Sequence, residues 1–132
     1  MTLIIFFLLI IKHFVCDFAL QGRFKETHDK HLLTSRKGHF HALDHAVGTA
    51  LVFLLASVWL LGQGQTIFVT IILFGILDYV FHFTIDWLKN NFVRANDMKQ
   101  SESQFWILSC VDQCLHTTCY LVYVILFDIY FF

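Results

Sequence analysis

The stretch TIFVTIILFGILDYVFHFTIDWLK, residues 66–89, decides how this chain folds. It carries no charge until Asp78, after which Asp78, His82 and Asp86 follow at four-residue steps. As an α-helix the run is long enough for a hydrocarbon core about 30 Å thick. Side chains at i and i+4 share a helix face, so the three polar groups form one stripe on an apolar helix. The pattern recurs outward in both directions, as His13 and Asp17, His41 and His45, and Asp112 and His116. Each pair lies in its own apolar segment, and the segments at about 2–20, 41–61, 66–89 and 105–132 are expected to be membrane helices. The expected fold is all-α: an integral membrane four-helix bundle, with residues 1–132 forming one transmembrane domain.

Composition points the same way. The chain has 132 residues, 58% of them hydrophobic and only 14% charged, with no proline. A soluble domain of that length has too little interior to bury so much apolar surface. The formal net charge of −1 argues against nucleic acid as a partner, which would require a basic face. The opening run MTLIIFFLLIIKHFVCDFAL (1–20) is expected to remain as a helix and not to be a cleaved leader. No basic segment precedes it, Lys12, His13 and Asp17 interrupt it, and no small-x-small site follows.

Lysine and arginine set the expected orientation. Eight of the nine lie in the connections at about 22–40 and 90–104 or at their edge (Lys89), whereas GQGQ (Gly62 to Gln65) has none. Both termini are therefore expected to be non-cytoplasmic, with the two long connections inside. That assignment made no use of the polar pairs, which test it independently. His13/Asp17 and His82/Asp86 come late in inward-running helices, and His41/His45 and Asp112/His116 come early in outward-running ones. All four pairs fall in the cytoplasmic half and can converge at one depth. Ala42, Ala46 and Ala50 form a small-xxx-small stripe suited to close helix packing, although alanine is also ordinary in membrane helices.

Imidazole and carboxylate at four-residue spacing form a chelate for a borderline divalent cation, Zn first and Mn, Fe or Ni next. Facing helices of a bundle can carry such a site. The candidate ligands are His13, Asp17, His41, His45, His82, Asp86, Asp112 and His116. They suffice for two ions, or for one ion with hydrogen-bonded partners around it. Asp44 and Asp78 share faces with His45 and His82 and could orient those imidazoles; Asp44 equally suits a solvated interface. A single pair has a plainer reading, an interhelical hydrogen bond or a snorkelling side chain, and His41 at its helix entrance fits that well. Four pairs at one level favour a metal, since ionisable groups in hydrocarbon must pair, face a cavity or bind an ion.

A metal near the interface can activate water or polarise a phosphoryl oxygen. Asp86 or Asp112, whichever is not a ligand, is the candidate general base. Lys89, one turn beyond Asp86, is a candidate to hold an anionic head group, as are Arg23 and Lys25 beyond Gln21. Plain positive-inside topology also explains Arg23 and Lys25. Lys12, past the helix midpoint, needs a carboxylate, a phosphate or a route to the interface. Cys110 and Cys114 fall on the face opposite Asp112 and His116 and read as apolar filler. Cys16 and Cys119 lie nearer the polar faces, and a disulfide framework is not expected.

Taken together, HFVCDFALQ (13–21), HALDH (41–45), HFTIDWLK (82–89) and DQCLH (112–116) resemble, in order and spacing, the small bacterial and phage membrane family catalogued as domain of unknown function 3307. Cys16 stands where that pattern has a small residue. The resemblance implies a bacterial or phage origin, a multi-pass protein of the bacterial inner membrane, and no particular activity. A looser similarity to small membrane-bound metal-dependent hydrolases tilts the expectation toward hydrolysis. The expected function is thus a membrane metalloprotein that hydrolyses a phosphoester or lipid head-group substrate. The competing classes are a cation or proton transporter using the same cluster and a non-enzymatic membrane module. Expected partners are the lipid bilayer and an anionic head group, and a homo-oligomer is compatible with the sequence.

Overall fold

Backbone groups in hydrocarbon must bond within their own segment, so apolar runs free of proline close into helices. The computed structural model describes residues 2–20, 30–60 and 65–131. Over these residues it forms four helices: α1 (Thr2–Phe14) with a π-helical continuation (Val15–Leu20), α2 (Arg36–Leu60), α3 (Gln65–Ala95) and α4 (Ser103–Phe131). All four are long and apolar enough to cross a membrane, and they make an all-α, multi-pass four-helix bundle. Gln21, Arg23 and Lys25, together with Gly62 to Gly64 of the short turn, lie outside the described residues.

Two helices run further than their apolar spans. α2 starts at Arg36 and not near His41, because Ser35 caps it: its Oγ accepts the Gly38 N–H at 3.1 Å. α3 continues past Lys89 to Ala95 and closes in a Schellman turn. There the Met98 N–H bonds the Val93 carbonyl at 3.0 Å and the Asp97 N–H bonds the Arg94 carbonyl at 3.2 Å. Asp97 adopts the left-handed conformation that this turn requires, with φ 48°. Apolar periodicity stops at the bilayer edge, whereas backbone hydrogen bonding continues until a cap ends it.

α2 and α3 share the broadest interface. Gly75 lies on the small-residue stripe of α2: a Cβ there would stand 3.4 Å from the Ala46 carbonyl and 3.6 Å from Ala50 Cβ. At one end of the bundle Thr2 Oγ1 donates to Asp128 Oδ1 at 2.9 Å, pinning α1 antiparallel to α4. The half of the bundle nearest that bond is filled by Leu9, Phe53, Phe74, Val124 and Phe127, with Phe53 stacked on Phe74 at 4.4 Å. Outward faces carry bare apolar side chains, among them Phe18 (76% exposed), Val58 (72%) and Ile129 (75%). In water such a surface would drive association; in hydrocarbon it is solvated. The other end, where residues 30–35 and 96–102 connect the helices, holds the polar groups.

Candidate metal centre

Each helix delivers its pair to the connection end. After Phe14 the chain widens into the π-helical turn Val15–Leu20, a local form frequent at functional sites. The wider turn re-phases the following side chains, and Asp17 reaches α2 without losing His13. Asp17 Oδ1 lies 3.0 Å from His45 Nε2 and 3.3 Å from His41 Nε2, and its Oδ2 lies 3.2 Å from His13 Nε2. α3 adds His82, whose Nε2 is 3.2 Å from His41 Nε2 and whose ring is sandwiched between His45 and His116. α4 adds His116, whose Nε2 stands 3.6 Å from both Asp86 Oδ1 and Asp112 Oδ1. All five imidazoles are buried.

Two sets of donor atoms fall within 4.8 Å of one another. Asp17, His41, His45 and His82 form one; His82, Asp86 and His116 form the other. Four nitrogen and oxygen donors match a closed tetrahedral ion, and three leave a coordination position for water or substrate. His82 is common to both sets. Four buried atoms at this level, His41 Nδ1, His82 Nδ1, Asp112 Oδ1 and His116 Nε2, have no hydrogen-bond partner among the described residues. Each such burial costs about 1–3 kcal/mol. Asp112 Oδ1 and His116 Nε2 face each other at 3.6 Å, a carboxylate oxygen and an imidazole nitrogen of the kind a divalent cation takes. His41 and His82 meet through Nε2, so their Nδ1 atoms lie on the far side of the rings.

His13 and Asp112 belong to neither set, and donor bookkeeping explains His13. Its Nε2 faces two acceptors, Gln113 Oε1 at 3.0 Å and Asp17 Oδ2 at 3.2 Å, so that nitrogen carries the proton. Nδ1 then accepts from the Tyr120 hydroxyl at 2.9 Å, and the hydroxyl oxygen accepts from Lys12 Nζ at 3.0 Å. His13 therefore orients Asp17 and does not compete with it. Beneath the candidate ligands, Lys12 also donates to Asp78 Oδ2 at 2.7 Å and to the His45 carbonyl at 3.2 Å. Thr49 Oγ1 donates to the same Asp78 oxygen at 2.6 Å. Asp78 thus serves Lys12 and Thr49, not an imidazole, in a buried layer that ties all four helices together.

Above the ligands a cleft of about 220 Å³ opens among Asp17, His41, Asp86, Asp112, Lys30 and Lys89. Lys30 Nζ donates to Asp86 Oδ2 at 3.0 Å, and Lys89 Nζ donates to Asp112 Oδ2 at 2.9 Å. Lys30, Gln113 and Tyr120 belong to the centre although the paired spacing does not single them out. Tyr120 continues the Asp112, His116 step by four more residues, so the same rule extended would have found it. Lys30 sits in a connection, where periodicity assigns no face. Cys110 and Cys114 are exposed on the outer surface, Cys16 donates to the Asp44 carbonyl at 3.6 Å, and none of the four cysteines enters either donor set.

A family model described as a protein of unknown function (DUF3307) matches residues 5–131. No curated protein and no solved structure matches the chain.

Proposed function

We propose, for a chain that belongs to the DUF3307 family of proteins of unknown function, a membrane metalloprotein whose His/Asp centre hydrolyses a phosphoester or lipid head-group substrate. One observation carries the reading: four helices bring imidazoles and carboxylates into two donor sets sharing His82, beside Asp112 Oδ1 and His116 Nε2, buried with no hydrogen-bond partner among the described residues. Asp17, His41, His45, His82, Asp86 and His116 are the proposed ligands. Zn suits this imidazole-rich set best, with Mn, Fe or Ni as alternatives. Such an ion, when bound, supplies a water ionised near neutral pH and a contact that polarises a phosphoryl oxygen.

The chain's own residues divide the remaining work. Asp112 lies outside both donor sets and its Oδ1 has no hydrogen-bond partner among the described residues, so it can accept a proton as general base. Lys89 at the cleft holds the anionic group of the substrate. The cleft opens toward the connections, which the positive-inside rule assigns to the cytoplasm; the family resemblance implies a bacterial inner membrane. A transporter would need polar groups continuing through the bundle, whereas Leu9, Phe53, Phe74 and Phe127 fill its far half.

Metal analysis of the purified protein tests this directly, alongside hydrolysis of phosphatidic acid and of p-nitrophenyl phosphate. The wild type should hold about one or two divalent ions per chain, and His82→Ala should keep its helical circular dichroism while losing metal and hydrolysis together. A wild type without divalent metal would overturn the reading. A metal-loaded protein inert toward both substrates would instead favour the non-enzymatic module.

A further inference from the structure

Lys30 and Lys89 stand at the mouth of the centre, and each engages only one oxygen of its carboxylate. Lys30 Nζ takes Asp86 Oδ2 at 3.0 Å and Lys89 Nζ takes Asp112 Oδ2 at 2.9 Å. The Oδ1 atoms of both carboxylates turn inward, each 3.6 Å from His116 Nε2. Between them, Asp112 Oδ1 and His116 Nε2 are buried without a hydrogen bond among the described residues. Both lysines line the 220 Å³ cleft, whose lining also includes Asn90 and Gln100.

Charge balance gives this arrangement a direction. Among the described residues, three carboxylates, Asp17, Asp86 and Asp112, face two ammonium groups, an excess of one negative charge; Lys12 is already paired with Asp78. A divalent cation reverses that excess to one positive charge, in surroundings where unpaired charge is costly. The cation also repels both ammonium groups, Lys30 from the proposed ligand Asp86 and Lys89 from the neighbouring Asp112. Lysine is suited to such an exchange, being a point charge with three donors on a flexible stem.

We infer that Lys30 and Lys89 form a metal-gated anion clamp, neutralising Asp86 and Asp112 until a divalent cation sits among them, then turning into the cleft to bind a phosphate group. The inference rests on the metal-centre reading above and adds its regulation: the anion site exists only in the loaded protein. Cation and phosphate binding are then positively coupled, and the coupling factor must be the same in both directions.

Calorimetric titration of the full chain in phosphatidylcholine nanodiscs tests this. Zn²⁺ is the first probe, and phenylphosphonate, whose P–C bond resists hydrolysis, is the second. Phenylphosphonate should tighten Zn²⁺ binding by about fivefold or more, and Zn²⁺ should tighten phenylphosphonate binding by the same factor. Lys30→Met and Lys89→Met should each tighten Zn²⁺ on their own and abolish the effect of phenylphosphonate, while Lys30→Arg retains it. Nanodiscs containing phosphatidic acid separate the sources. If they tighten Zn²⁺ without phenylphosphonate, in a lysine-dependent way, the clamp holds a lipid head group; if they do not, it holds a free phosphate. Zn²⁺ binding that ignores phenylphosphonate in the wild type, or lysine variants that keep the coupling, overturns the clamp and spares the metal centre. No Zn²⁺ binding at all overturns the metal centre itself.

Discussion

Lys12 shows what a single residue demands of this bundle. A charge past the middle of a membrane helix needs compensation, and that need is readable in the sequence. Which group supplies it is not, because Asp17, one turn away, is the nearer carboxylate. The structure gives Asp17 to His13, His41 and His45, and Lys12 to Asp78 across the bundle. Removing one member of a buried pair leaves the other charge bare, a loss of about 3–5 kcal/mol. Lys12→Met should therefore destabilise the protein by about that amount. Lys12→Met combined with Asp78→Asn should recover most of it, since Thr49 still has an oxygen to bond. Reversible unfolding in mixed micelles by sodium dodecyl sulfate measures both. A double variant no more stable than Lys12→Met would refute the pairing.

At the scale of elements, α1 and α2 meet where the Lys12 stem crosses Gly48. A Cβ on Gly48 would stand 2.6 Å from Lys12 Cγ and 2.8 Å from its Cδ. These are mid-chain atoms of a side chain whose ammonium is held by Asp78, Tyr120 and the His45 carbonyl, so the stem cannot swing aside. Gly48→Ala should cost about 1–3 kcal/mol as an overpacked contact, although alanine is the better helix former. The same unfolding assay reads it, and a stabilised Gly48→Ala would show that the stem yields. The π-helical turn is the other feature of this scale. Its residues carry the same four-residue spacing as an α-helix, so periodicity alone does not reveal it. It becomes necessary only once Asp17 must serve His41 and His45 as well as His13.

For the whole molecule, basic residues and polar pairs agree on one end of the bundle, and the proposed orientation follows from that agreement. Single cysteines at Thr2 and Ser101, in a chain lacking its four natural ones, should differ in labelling by a membrane-impermeant maleimide added to intact spheroplasts. Thr2→Cys should label and Ser101→Cys only after lysis; the reverse pattern would invert the topology and place the cleft outside. The sequence by itself determined the helix count, the antiparallel order and the level at which histidine and aspartate meet. Hydropathy, span length and four-residue spacing are local properties, and a short turn leaves the chain little choice of direction. Only the tertiary structure decided that His13 donates to Asp17 while His82 is common to two donor sets, and that Lys30 closes the mouth. Those outcomes depend on how far each helix rotates about its own axis, which packing against the other three sets and no single segment encodes.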